Sequence, residues 1–243
     1  MRIKVIVTLL FVLLSETIRS DSQLVKGPAA YNCRDSEYIA EIFPSGSRLK
    51  NKEPFCFFYR QNFRVSKDED YNAARRFSLV WSGKLVNTTA PNAALVSTNG
   101  YLVTLDEHAF LGSNHSIVIY DKNGKMIQDY SLKEVIPDPD IKSQLDKSTS
   151  SIWWRNNAKY YFTNPASPRQ SLSNPSHLYI LLKHNFVIEI KLESGINSSG
   201  KLNKYRHLDS LVNHKYVNEE HLVWNTDLEY SSITELLNCL NNR

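Results

Sequence analysis

The chain has 243 residues, a formal net charge of +4 and an aromatic content of 11%, with 13 Tyr, 10 Phe and 4 Trp. Its basic residues are scattered, with no run of five like charges, so nothing in the charge points to nucleic acid or acidic lipid as a partner. The aromatic bulk is enough to fill a core without help from a metal or other cofactor.

The first element is a leader. Arg2 and Lys4 precede the apolar run VIVTLLFVLL at residues 5–14, and small polar residues follow, which predicts a secretory signal peptide. The run is too short to cross a bilayer of ~30 Å, which needs roughly twenty residues. The mature chain is therefore expected to be exported, secreted or periplasmic, with no membrane span. The small-x-small rule places cleavage after Ser22, with Ser20 as the alternative. Residues 1–22 are then the leader and 23–243 a single β-rich domain. Cleavage after Ser20, which removes Arg2, Lys4 and Arg19 together with Glu16, lowers the formal charge from +4 to +2.

Strand patterns follow at residues 37–43 and 55–60. Cys33 precedes the first and Cys56 lies within the second, and adjacent strands bring β-carbons into bridging range. In an oxidising compartment this spacing predicts a Cys33–Cys56 disulfide. Closing a loop of about 24 residues would stabilise the fold by about 3 kcal/mol on a loop-entropy argument. Cys239 is then the odd thiol, either buried and inert or paired between molecules. Neither CxxC nor a Cys/His spacing suggests zinc. Three sequons occur, at Asn87, Asn114 and Asn197.

The middle of the chain reads as a β-meander. Strands are expected at 93–97, 101–106, 116–121 and 125–130, with Asn99-Gly100 and Asn123-Gly124 between them as two-residue type I′ turns. Ser131-Leu132-Lys133-Glu134 has capping-box spacing, and Pro137 and Pro139 stop that helix after about one turn. The stretch 156–176, with its three X-Pro steps, reads as a surface loop. A hairpin follows, 177–182 and 186–192, turning through Lys183-His184-Asn185. Phe186, Ile188 and Ile190 alternate there with Val187, Glu189 and Lys191, which suggests one buried and one wetter face. At the C-terminus Ser232 to Glu235 forms another capping box, and Ile233, Leu236, Leu237 and Leu240 make an apolar stripe on a helix over 232–241. About ten strands with short helices predict a mainly β fold: an antiparallel meander, a sandwich or incomplete propeller-like blades, with a short C-terminal α-helix.

The usual catalytic and nucleotide-binding signatures are absent: GxSxG, GxxxxGK[ST], HExxH, GxGxxG and the EF-hand loop. Three clusters remain. Asp106, Glu107 and His108 end a strand, with His115 beyond the next loop; carboxylates beside imidazole can run acid-base chemistry or bind metal if they converge. Asp106 and His108 should project from one side of the strand and Glu107 from the other, so no metal site is expected there. His207, His214 and His221 recur every seven residues, which on a helix leaves about 10 Å between neighbours, too far for one ion. Trp153-Trp154-Arg155, followed by Tyr160-Tyr161-Phe162, is a candidate stacking platform for sugar rings or a partner's side chains. Alternation along a strand allows at most one of Trp153 and Trp154 on a given surface, so one is expected in the core and the other at the rim.

From residue 85 to 155 the cadence LVNTTAPNAALVSTNGYLVTLDEHAF, then SIVIYDKNGKMIQDYSLKEVIP, then STSSIWWR resembles a group of small exported proteins, mostly bacterial, that carry a signal peptide and have no known function. The opening YNCRDSEYIAEIFP is compatible with the first strand of that group, and His108 stands where relatives would carry Trp. The resemblance implies a β-rich exported domain and transfers no catalytic residue. Three functional classes follow from the sequence. The first is a non-catalytic binding or envelope-associated module with a protein or glycan partner. The second is a hydrolase or metal-dependent enzyme built around Asp106, Glu107, His108 and His115. The third is a structural or assembly protein acting through the C-terminal helix and Cys239.

Overall fold

Β-branched and aromatic residues dominate the chain between its turns, and strands are what they form. The computed structural model describes residues 28–32, 37–46, 52–61, 77–108, 110–148, 150–163, 174–201 and 204. Their twelve strands make three antiparallel four-stranded meanders taken in chain order. The first holds β1 (Ala29–Asn32), β2 (Tyr38–Phe43), β3 (Phe55–Gln61) and β4 (Phe77–Lys84). The second holds β5 (Pro91–Val96), β6 (Leu102–Glu107), β7 (Ile117–Tyr120) and β8 (Met126–Tyr130). The third holds β9 (Lys159–Thr163), β10 (His177–Leu181), β11 (Phe186–Lys191) and β12 (Gly195–Lys201). Two short helices, α1 (Leu132–Val135) and α2 (Pro139–Ser143), lie between the second and third sheets in sequence. Among the described residues no helix is long and apolar enough to cross a membrane.

The second sheet is covered on both faces. Val103, Leu105, Ile117 and Ile119 pack with Leu178, Ile180, Ile188 and Ile190 of the third sheet and with Leu132 and Trp154. Leu102, Val118 and Tyr120 pack with Ala40, Ile42, Cys56 and Phe58 of the first. Alternate residues of one strand thus enter two different cores, which is why YLVTLD and SIVIYD read as nearly continuous apolar runs rather than as alternating ones. A ladder of rings, Phe58 on Trp81 at 5.2 Å and Trp81 on Tyr120 at 6.3 Å, ties the first sheet to the second.

Several expectations are corrected. The stretch 156–176 is not wholly a loop, because KYYFT forms β9 and pairs along β10 from Lys159↔Leu181 to Thr163↔His177. The Asn-Gly turns are not type I′. Backbone φ is positive at Gly100 and Gly124 but not at the preceding asparagines, and Gly124 N–H donates to the Asp121 carbonyl while Asp121 N–H donates to Lys125. One carboxylate oxygen of Asp121 accepts from the amides of Asn123 and Lys125, both at 2.8 Å, which fixes a type I turn followed by a left-handed glycine. A Cβ on Gly124 would also lie 2.7 Å from the Trp81 ring. Gly124→Ala should therefore cost about 1–2 kcal/mol, from the left-handed backbone and the displaced indole. Urea titration of that variant checks this, and an unchanged midpoint would count against the turn.

The predicted Cys33–Cys56 bridge is also corrected. Cys56 is a free, buried thiol, and Cys33 lies outside the described residues. Burial, and then the nearby Glu41 charge, push the Cys56 thiol well above its ordinary pKa. Cys56 should resist alkylation in the folded protein and react once guanidinium unfolds it; peptide mapping that finds it equally labelled in both states would refute this placement. Cys239, the helix over 232–241 and His207, His214 and His221 lie outside the described residues. Of the sequons, Asn87 is buried with 1% exposure and accepts from the Thr104 hydroxyl, so it is closed to modification in the folded chain.

The capping box at Ser131 is present. The Glu134 carboxylate accepts from the Ser131 amide at 2.8 Å and from its hydroxyl at 2.7 Å, and these bonds lower the Glu134 pKa. The hairpin at Lys183 to Asn185 turns as read, with Asn185 left-handed at φ 57°.

Candidate functional site

At the end of β6 the backbone turns left-handed at Asp106, φ 54°, a conformation that aspartate tolerates better than most residues. Regular alternation would place residue 106 on the face of Leu102. The turned backbone instead lets the carboxylate reach Trp154, a member of the core between the second and third sheets. Asp106 is 1% exposed and both of its oxygens accept hydrogen bonds. Oδ1 accepts from Trp154 Nε1 at 2.6 Å and from the Gly112 amide at 3.0 Å; Oδ2 accepts from Arg155 Nε at 2.6 Å. A buried carboxylate is tolerated because it has both a counter-charge and donors.

Arg155 is the other half of the site. Its Nη1 donates to the Tyr160 hydroxyl of β9 at 3.1 Å, and its guanidinium lies 5.7 Å from the centroid of the Trp154 ring. Burial alone would lower its pKa, but the Tyr160 and Asp106 contacts outweigh burial and hold it above the usual value. Tyr31 of β1 lies close enough for the Arg155 charge to oppose the upward pull of burial on its hydroxyl. Tyr160 of the third sheet and Asp106 of the second thus meet at one arginine.

Trp153 and Trp154 divide between surface and core, although Trp154 begins a turn and the pair is not in a strand: Trp154 is 2% exposed and Trp153 is 44% exposed. They follow the bridge residue Ile152, whose amide donates to Leu111 at 2.8 Å. That contact passes so close to Gly112, φ 72°, that a Cβ there would lie 2.7 Å from the Ile152 carbonyl. The loop after β6 and the Trp pair are therefore locked together. Between them opens a pocket of about 380 Å³ lined by Asn92, Asp106, Leu111, Trp153, Arg155 and Asn156. Asn156 donates its amide to Asp146 at 3.0 Å, and Lys183 binds the same carboxylate oxygen at 2.6 Å.

The four residues of the acid-base cluster do not converge. Asp106 turns to Arg155. Glu107 takes the Thr88 amide at 2.7 Å, and His115, left-handed at φ 53°, stands between two carboxylates, with Nδ1 2.8 Å from Asp129 and Nε2 3.9 Å from Glu107. His108 is partly exposed at the strand end, its amide donating to Ala90 at 2.8 Å. Sequence reasoning missed Asn92, Asn156 and Asp129, and named Arg155 only as the neighbour of the tryptophan pair. The one signal available for Arg155 was a charge directly behind two tryptophans. No protein-family model matches this chain, and no curated protein matches it in sequence.

Proposed function

We propose that this is an exported, non-catalytic binding module whose pocket beside Asp106 and Arg155 receives a segment of glycan. The observation that carries the reading is Trp153, whose half-exposed indole stands at a pocket lined, apart from Leu111, by the polar side chains of Asn92, Asp106, Arg155 and Asn156. A tryptophan left in water beside amides and a fixed guanidinium suits a sugar ring, which stacks its C–H face on the indole and hydrogen-bonds at its edge. The rigid turns and the Asp106–Arg155 pair hold these groups in place before a ligand arrives, which lowers the entropy of ordering on binding. The three donors that hold Asp106, one of them the Arg155 guanidinium, support binding over catalysis, because a buried carboxylate paired with a fixed cation is a poor base or nucleophile. Binding of the mature protein to a broad glycan array, read beside Trp153→Ala, tests the proposal. The variant should keep its thermal midpoint and lose binding by about tenfold or more, in line with ~1–3 kcal/mol for an aromatic stacking contact. An array on which no glycan discriminates the two proteins would overturn it.

A further inference from the structure

Resting on that reading, we infer that the pocket selects an uncharged sugar residue over an acidic one. Among its lining residues only Asp106 and Arg155 carry charge, and they are joined at 2.6 Å. Arginine at the mouth of a sugar site ordinarily suggests a uronate or other carboxylated ligand, because the guanidinium fork matches a carboxylate. Here the fork is occupied along its Nε edge by Asp106, and its net charge is cancelled within the protein. A second carboxylate entering the pocket would meet the buried charge of Asp106 directly behind the guanidinium, with no further cation lining the pocket to offset it.

The remaining hydrogen-bond capacity points the same way. Asp106 and Tyr160 take two of the five N–H donors of Arg155. Asn156 gives an N–H to Asp146 and keeps its carbonyl oxygen as an acceptor. The pocket lining thus holds both N–H donors, on Arg155, and an amide oxygen acceptor, on Asn156. A hydroxyl satisfies both at once, whereas a carboxylate accepts only and would leave the Asn156 oxygen facing like charge.

The test uses the full mature protein and matched neutral hexose and hexuronate oligosaccharides of equal length, with Trp153→Ala as the control for pocket binding. Neutral members should bind in a Trp153-dependent way, and their affinity should change by less than about twofold between roughly 50 and 500 mM sodium chloride, because no net charge is screened. The matched hexuronates should bind at least about tenfold more weakly, as expected for like-charge repulsion at a partly buried site. Trp153-dependent preference for hexuronates, with affinity falling steeply as salt rises, would overturn the inference while leaving the binding module intact. Absence of Trp153-dependent binding to every member would overturn the binding module and this inference together.

Discussion

Replacing Asp106 by Ala is expected to destabilise the protein by about 3–5 kcal/mol, the range for removing one partner of a buried ion pair. Arg155 would keep its charge with its closest counter-ion gone, its side chain being only 14% exposed. The Trp154 indole N–H and the Gly112 amide would lose their acceptor as well. The urea midpoint should fall accordingly, and an unchanged midpoint would show that the pair contributes nothing. Removing both partners should be milder. Asp106→Ala combined with Arg155→Met eliminates the stranded charge, and the double variant should recover part of the loss, the coupling being read from the cycle of single and double variants.

Trp154→Ala should cost a comparable amount, about 3–5 kcal/mol, for a different reason: a large, fully buried ring leaves a cavity that its neighbours only partly fill. Trp154→Phe separates the two contributions of this side chain. It retains most of the apolar volume and removes the N–H bonded to Asp106, so its cost should be nearer ~1.5–3 kcal/mol, the range for a hydrogen bond to a charged group. Guanidinium unfolding of the two variants side by side measures the difference. Equal losses would mean that the indole acts through its N–H alone, and a Phe variant with no loss that it acts by volume alone.

Much of the fold is legible in the sequence because strand periodicity is local. The runs around Leu102 and Ile117, the hairpin at Lys183 and the capping box at Ser131 are written in residues a few positions apart, and each forms as read. The turns at Gly100 and Gly124 were misread because Asn-Gly serves two geometries. The choice between them is made by the Asp121 side chain, whose bonds to the amides of Asn123 and Lys125 no dipeptide rule contains. In KYYFT the pattern was masked by the prolines that follow it. For the site, one tryptophan of the pair is buried and the other half-exposed, as expected, but the division is made by a turn that begins at Trp154 rather than by strand alternation. The link from Asp106 to Arg155 joins residues 49 apart, and it depends on a left-handed residue that redirects the carboxylate. Nothing short of the folded chain shows that.

The double covering of the middle sheet has a consequence for the order in which the chain can mature. As β5 to β8 emerge during synthesis, β1 to β4 have already been made and can cover one side at once. The other side, carrying Val103, Leu105, Ile117 and Ile119, waits for partners that lie beyond residue 158 in the third sheet. Until then a flat, sticky surface of branched aliphatic side chains faces the solvent, of the kind that recruits chaperones or other nascent chains. Any truncation that stops before β9 should yield an aggregating product rather than a smaller soluble one.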